Sequence, residues 1–529
     1  MIISAITIEN FKSIKEPVRI ELKPITLLFG SNSVGKSTII QALHYTRAVI
    51  KHRDFNADRT ETGGDSIRLG GFHNLVHNHD LKKAIRLKFE LNLPDYLNYD
   101  LFEDTETTIE DILSEFPEEV GRIKEYFELK IKEGEVPWVK ISIRQDSIEG
   151  EPYVAEQSIG FGDEEFILLT AEPDNIAIRL SIDHPLFPVI DGSSLAALFL
   201  SETGEEEQDD KGKTLSATHF LQKLPSERIR LNVDGTHLKR LYEKDLWDAY
   251  NKFESILNVA WQSIVDALKI DLDDFRYIGP LRVTPDADFI PNLKYDPSRW
   301  ANGVAAWDSL VQGDWDIEIV NLWLSDQFFK TGYTINREQL KEIDTEGDLY
   351  KKIIEGPGTR EDLAEQLQQL PVKVRVSIQK ENTGIIHHAT DIGVGISQLV
   401  PIIPLALGGG WDHEGVIAIE QPELHIHPAM QVVLGDLFIE GLDYEVNMPG
   451  RKRFLLETHS EHLLLRLLRR IRGPRKDSLV KLRPDDLGIY FLESSAAGVK
   501  ATHLRVDQDG EFQDEWPVGF FEEREEELL

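Results

Sequence analysis

The stretch Gly30-Ser31-Asn32-Ser33-Val34-Gly35-Lys36-Ser37-Thr38 constrains this chain more than any other. An apolar run, Ile25–Phe29, precedes it and a helical run, Thr38–Leu43, follows, so the spacing G-x4-G-K-[S/T] sits in a strand, loop, helix context. Such a loop wraps a polyphosphate with backbone N–H groups, at Gly30, Asn32, Gly35 and Thr38 among others. The positive end of the following helix faces the same anion. Lys36 can reach the β- and γ-phosphates, and Ser37 can place its hydroxyl on Mg²⁺. A chance glycine loop would lack the flanking strand and helix. The sequence therefore predicts a nucleoside triphosphate site with Mg²⁺.

Composition limits what surrounds that site. The chain has 529 residues, room for two or three cores or for one large domain with insertions. There is no cysteine, which removes disulfides, thiolate metal sites and cysteine nucleophiles. No run of eighteen or more apolar residues is present, and the N-terminus enters a strand pattern without a basic leader, so a cytoplasmic protein without membrane contact is expected. Formal charge is −35, from 58 Lys+Arg against 93 Asp+Glu. That balance argues against strong autonomous DNA binding and leaves room for a DNA contact in an ATP-bound assembly.

Along the chain, Ile2–Glu9, Val18–Leu22 and Ile25–Phe29 read as strands, with Asn10–Ile14 connecting the first two. The helix after the loop runs to about His52. Ala84–Leu91 alternates as a half-buried strand. Strand patterns recur at Trp138–Ile143, Phe166–Leu169 and Ile176–Ile182. Helical periodicity is read from Leu215 to Leu268. Ser201–Asp210 is an acidic loop, and the tail Glu522–Leu529 is acidic too. Tryptophan-bearing helical segments are expected between Trp307 and Phe329, then a strand at Val372–Gln379. An α/β pattern returns with strands Val416–Ile419, Arg453–Glu457 and Leu487–Leu492, a helix after Pro428 and another at Ser460–Ile471. The expected division is 1–95, 96–275, 276–385 and 386–529: a first half of an ATPase core, an inserted α+β and helical block, a connecting region, and a second half.

Three landmarks choose among nucleotide-binding classes. In Gly415–Pro428 a buried strand ends in Glu420, which can hold Mg²⁺ beside the phosphate loop. Gly393-Val394-Gly395-Ile396-Ser397-Gln398 puts glycines, a hydroxyl and an amide at a helix start. Leu455–Ser460 is a strand ending at His459, which can donate to a γ-phosphate.

Order and type of these pieces resemble the ATP-binding-cassette head, and within it the soluble branch of RecF, the structural-maintenance proteins and the overcoming-lysogenization-defect (OLD) ATPases. The likeness is carried by Asn10–Ser13, Gly30–Thr38, Gly393–Gln398, Glu420–Pro428 and Thr458–Ser460. Tyr277–Arg282, Glu420-Gln421-Pro422-Glu423 and the ending Asp509–Phe512, Trp516-Pro517, Gly519–Phe521 and Arg524 look like a prokaryotic OLD-like subfamily related to Septu-type anti-phage systems. The resemblance implies an α/β fold: a split ABC-type P-loop ATPase head with a large insertion. It also implies a homodimer, or a higher oligomer of such dimers, closed around two ATPs. One subunit would give the phosphate loop, Glu420 and His459, the other Gly393, Gly395, Ser397 and Gln398, with Lys12 and Ser13 beside the α-phosphate and base. The implied activity is ATP hydrolysis controlling a separately encoded effector, a nuclease, in phage defence.

Two departures and two rivals accompany this reading. Gln421 stands where a water-activating glutamate is usual, so either Gln421 orients water, Glu423 substitutes, or turnover is slow. Slow turnover is the favoured expectation. The Mg²⁺-contacting glutamine loop appears only as Gly71–His77, leaving Asn74 or His77 as weak candidates. The alternative function is a self-contained DNA-repair or defence nuclease using Asp507-Gln508-Asp509-Gly510, although a hairpin turn accounts for those residues more simply. His425 and His427 read as turn-shaping rather than metal-binding, and Arg466, Arg469, Arg470 and Arg472 as a surface helix face with a partner or DNA role in reserve.

Overall fold

The computed structural model describes residues 2–60, 67–92, 117–146, 150–172, 175–180, 213–217, 244–285, 289–292, 294, 296–313, 317–356, 359–387, 389–408, 415–442, 452–473, 481–495 and 498–517. The acidic stretch Ser201–Asp210, the tail Glu522–Leu529, Gly519–Phe521 and Arg524 lie outside the described residues. The strands run β1 (Ile2–Glu9), β2 (Val18–Glu21), β3 (Ile25–Gly30), β4 (Ile85–Asn92), β5 (Pro137–Gln145), β6 (Pro152–Phe161), β7 (Glu164–Glu172), β8 (Asn175–Leu180) and β9 (Lys213–Ala217). Then come β10 (Arg276–Ile278), β11 (Tyr333–Lys341), β12 (Val372–Lys380), β13 (Ile386–His387), β14 (Gly415–Glu420), β15 (Lys452–Glu457), β16 (Leu487–Ser495) and β17 (Gly498–His503).

The six-stranded sheet has the order β10-β14-β15-β3-β16-β17. Its strands are parallel except for the last hairpin, β16–β17. The central β3 is buried along its whole length, as a parallel strand covered on both faces requires. Its side chains alternate between two cores: Leu28 joins the one built on β1, β4 and the helix Lys36–His52, while Leu27 and Phe29 join the one built on Phe438, Leu456 and Leu463. Each buried Leu or Phe contributes about 1.5–3 kcal/mol. Because β15 and β16 flank β3, residues 452–495 complete the sheet that the first thirty residues begin. Trp516 packs edge-on against Phe29, bracing the strand that carries the phosphate loop.

The eight-stranded sheet, β2-β1-β4-β5-β6-β7-β8-β9, is antiparallel throughout. The strands between residues 137 and 217 thus prolong the sheet that β1, β2 and β4 begin. Helical periodicity from Leu215 gives way at its start, since residues 213–217 pair as β9 with β8. A strand partner outweighs local helical spacing there. The rest of that helical periodicity includes one 31-residue helix, Lys244–Asp274, which touches β1, β4, β5, β14 and the helix Lys36–His52. It lies where both sheets meet.

A three-stranded sheet, β11-β12-β13, completes the described structure. β12 matches the expected strand at Val372–Gln379, whereas β11 had no sequence counterpart. Among the described residues no helix is long and apolar enough to cross a membrane.

Candidate nucleotide site

β3 ends at Gly30, and the loop turns into the helix Lys36–His52. Two positions in the loop demand glycine. Gly30 has φ +140°, and a Cβ there would run into the carbonyl oxygen of Leu492. Gly35, at φ +114°, lies against Ser13, whose hydroxyl a Cβ would meet. Ser13 Oγ in turn lies 3.2 Å from Thr38 Oγ1. The Asn10–Ser13 connection therefore packs directly on the loop, with Asn10 and Lys12 at positive φ to make the tight turn. Lys12 is held by the Gly71–His77 segment: its N–H donates to the Leu75 carbonyl, and its own carbonyl lies 2.8 Å from His77 Nδ1. Asn32 is exposed on the outer rim.

Three parallel strands deliver the remaining groups to the same sheet edge, the carboxyl end where ligands bind in α/β sheets. Glu420 ends β14 and Glu457 ends β15, and the two are register partners. Lys36 Nζ donates to the Gly30 and Ser31 carbonyls, each at 2.9 Å, and stands 3.9 Å from Glu457 Oε1. Ser37 Oγ donates to Glu457 Oε2 at 2.6 Å. Residues far apart in sequence thus meet around the loop.

Burial sets the electrostatics. It lifts Glu420 to about 7, helped by the neighbouring Glu457 charge. It lifts Glu457 and Glu423 as well. Burial lowers Lys36, against the pull of Glu457, Glu423 and Glu420. His459 is lowered by burial and then by the charge of Lys36, which places the histidine within electrostatic reach of the phosphate-loop lysine.

The segment after Glu420 is tightly pinned. Gln421 sits at φ +45° and its N–H donates to the Glu457 carbonyl at 2.7 Å. Glu423 Oε1 accepts the His459 N–H at 2.7 Å, which ties Glu423 to the backbone of the turn after β15. Of the two groups weighed as water activators, Glu423 has this bond to keep, and Gln421 has no proton-accepting carboxylate.

The structure places the Gly393–Gln398 segment in the short helix Val394–Leu399, with Gly393 and Val394 exposed. Gly395 packs on the His425 carbonyl. Ser397 is buried and its hydroxyl donates to the Val394 carbonyl at 2.9 Å. Gln398 points inward: its Oε1 accepts from Arg282 N–H at 3.2 Å, and its Nε2 donates to the Arg282 carbonyl at 2.7 Å. Arg282 Nη2 then reaches the carbonyls of Glu420 at 2.9 Å and Gln421 at 3.3 Å. Tyr277 OH donates to Glu420 Oε1 at 3.1 Å. Within one chain these bonds run to the Glu420 strand, through Tyr277–Arg282, rather than to the phosphate loop.

Several secondary readings are decided by geometry. Asp507 Oδ1 accepts the N–H groups of Asp509 and Glu511, and Gly510 takes φ +67°, so these residues form the hairpin turn. His427 caps the helix Pro428–Glu440 through Nδ1, and no metal-binding group of three or more His, Asp or Glu occurs among the described residues. Arg466 and Arg470 pair with Asp436, and Arg472 pairs with Glu511. Asn74 Nδ2 donates to the Gly70 carbonyl at 2.6 Å and His77 Nδ1 lies 2.8 Å from the Lys12 carbonyl, bonds that use neither Asn74 Oδ1 nor His77 Nε2.

The groups brought together at the loop suit a hard cation. Ser37, Glu420 and Glu457 offer oxygen donors only, the set Mg²⁺ prefers beside a substrate phosphate. Residues 1–133 match the family model for an AAA ATPase domain. The phosphate loop lies within that matched stretch. A second family model, described as "Protein of unknown function (DUF3696)", matches residues 482–529, which include β16 and β17 of the six-stranded sheet. No curated protein matches the chain.

Solved structures similar to this chain include a head of the SMC type bound to the C-winged helix domain of ScpA. It has 10% identity and a TM-score of 0.36, covering 96% of this chain and 99% of that one. The SMC head domain from Thermotoga maritima has 10% identity and a TM-score of 0.35, covering 96% and 100%. The Smc head with an extended coiled coil, bound to the C-terminal domain of ScpA derived from Pyrococcus furiosus, has 10% identity and a TM-score of 0.36, covering 95% and 96%.

Sequence reasoning had missed Glu457 and the part Arg282 plays. For Glu457 a signal was present: Phe454-Leu455-Leu456-Glu457 repeats the pattern of Val416–Glu420, apolar residues ending in a carboxylate.

Proposed function

We propose that two copies of this chain close around two molecules of MgATP and that the closed dimer is the signalling state. The observation that carries the reading is the meeting of Lys36 and Ser37 with Glu420, Glu457 and His459 at the carboxyl ends of adjacent parallel strands. In each site Lys36 and the loop N–H groups bind the β- and γ-phosphates, and Lys12 and Ser13 border the α-phosphate. Bound Mg²⁺ would neutralise phosphate charge, held by Ser37 and Glu420. Gly393, Gly395 and Ser397 of the second copy would complete the site from its exposed Gly393–Val394 edge. The exposed apolar residues Leu281, Val283 and Val394 beside that edge support a surface that is covered in an assembly.

Hydrolysis at this site is slow in this reading, because Gln421 is no base and burial raises Glu423, whose Oε1 holds the His459 N–H. His459 is the γ-phosphate sensor. The resemblance of its motifs to OLD-like ATPases of phage defence supports a regulator of a separate effector nuclease rather than a nuclease in itself. The hairpin geometry of Asp507–Glu511 supports the same choice. Sedimentation of the purified chain with and without MgATP tests the reading, with Lys36→Ala as control. ATP-dependent dimerisation that Lys36→Ala abolishes is expected. Intact ATP binding and effector control in Lys36→Ala would end the proposal.

A further inference from the structure

We infer that Glu457 is a carboxylate of the Mg²⁺ site and a plug for that site when no nucleotide is present. The inference rests on the MgATP reading above and adds a residue and a switch to it.

Asn74 and His77, the candidates in the Gly71–His77 loop, bond through Nδ2 and Nδ1 to the Gly70 and Lys12 carbonyls and make no bond to Lys36 or Ser37 among the described residues. Glu457, in contrast, touches both groups of the phosphate loop that handle ligand. Its two oxygens divide between Ser37 Oγ, at 2.6 Å, and Lys36 Nζ, at 3.9 Å. A phosphate-loop serine hydroxyl places its oxygen on Mg²⁺, and the lysine meets the β- and γ-phosphates. Glu457 thus holds the two side chains that a metal-bound triphosphate would claim. It is an anion standing in for anions.

A second feature argues that this carboxylate is kept for more than packing. Its side chain is only 8% exposed, and Glu420 is its register partner on the next parallel strand, close enough for the Glu457 charge to raise Glu420, so two carboxylates end neighbouring strands side by side. Such a pair is costly unless cations share it. Arg282 lies at the same strand end, 4% exposed, with Nε and Nη1 lacking hydrogen-bond partners among the described residues while Nη2 holds the Glu420 carbonyl. The fold thus supplies a fixed positive charge on one side and Lys36 on the other, and a divalent cation completes the neutralisation. When MgATP enters, Lys36 transfers to the phosphates and Ser37 to the metal. Glu457 then changes partner from the Ser37 hydroxyl to Mg²⁺, directly or through a bound water.

The test is a binding measurement with the full chain and the non-hydrolysable analogue AMP-PNP, by calorimetry in EDTA and in Mg²⁺. Wild type is expected to bind more tightly with Mg²⁺. Glu457→Gln removes a negative charge near the triphosphate, so metal-free AMP-PNP should tighten about 5-fold. The gain on adding Mg²⁺ should shrink by at least ~10-fold. A glutamine variant with the wild-type Mg²⁺ gain would make Glu457 a mere pin for Ser37 and overturn the inference.

Glu457→Cys gives an independent reading in a chain that otherwise has no cysteine. A thiolate there should shift the supporting metal from Mg²⁺ to Cd²⁺ and show a thiolate–cadmium absorption band with AMP-PNP. An unchanged metal preference without that band would count against it. If wild type binds no AMP-PNP under any condition, the MgATP reading itself fails. If wild type responds to Mg²⁺ and both variants respond as it does, only the role of Glu457 fails.

Discussion

The two large sheets of this molecule differ in what their strands are for. In the parallel sheet, β3, β14 and β15 each end on a polar group at one edge: the phosphate loop, Glu420 and Glu457. In the antiparallel sheet, β5, β6 and β7 bury aromatic packing, with Phe127, Phe161 and Phe166 clustered and Trp138 bonded to the Gly162 carbonyl. Parallel strands present all their carboxyl ends together, so chemistry gathers on one side; antiparallel strands alternate their ends and leave no such edge. The long helix Lys244–Asp274 joins the two, touching β5 on one side and β14 on the other.

The largest effect that separates the sheets should come from Phe161, which is fully buried in the antiparallel one. Phe161→Ala should cost about 3–5 kcal/mol in urea unfolding. ATP affinity, measured on the folded fraction, should not move. A matching loss of affinity would show that the antiparallel sheet positions the site.

A smaller effect sits at the joint between them. His44, on the helix after the phosphate loop, lies edge-on to Phe275 and Tyr277 and is held near a pKa of about 3 by burial and then by Arg47. An unfolded histidine titrates near 6.5. Its folded value is depressed, so its contribution is whole above pH 6.5 and is lost as pH falls toward 3. Between pH 6.5 and 5 the loss should be ~2 kcal/mol. His44→Phe should flatten the unfolding midpoint over that window. An equally steep decline in the variant would put the acid sensitivity elsewhere.

The smallest stability effect belongs to Arg282. Burial drags its guanidinium to about 10 despite Glu423, Tyr277 and Glu420 nearby, so its desolvation outweighs the attraction. Arg282→Met relieves that desolvation and gives up the charge shared with Glu420, two opposing terms whose net should stay near ~1 kcal/mol. Yet it should weaken MgATP-dependent dimerisation, because the side-chain bond from the Gln398-linked segment to the Glu420 strand is lost. A large loss of stability with normal dimerisation would make Arg282 structural.

The same contrast explains what could be read in advance. The parallel strands were legible because burial on both faces forces continuous apolar runs, as at Ile25–Phe29 and Val416–Ile419, and because the phosphate loop carries its spacing in sequence. Long-range neighbours were not legible. β11 pairs with β12 through Tyr333↔Lys380, and its outward residues weaken the alternation, so the partner rather than the local pattern makes it a strand. Glu457 was overlooked beside His459 because its role depends on lying against Ser37, a contact across 420 residues. Ser397 was expected as a donor, and its sequence context did not reveal that its hydroxyl already serves the Val394 carbonyl.

The central claim is that the nucleotide-bound site closes two copies of the chain together. Sedimentation velocity of wild type and Lys36→Ala, each without nucleotide and with MgATP, tests it most directly. The account predicts a monomer-to-dimer shift in wild type with MgATP and none in Lys36→Ala. A wild-type chain that binds MgATP tightly and stays at its nucleotide-free mass would contradict it.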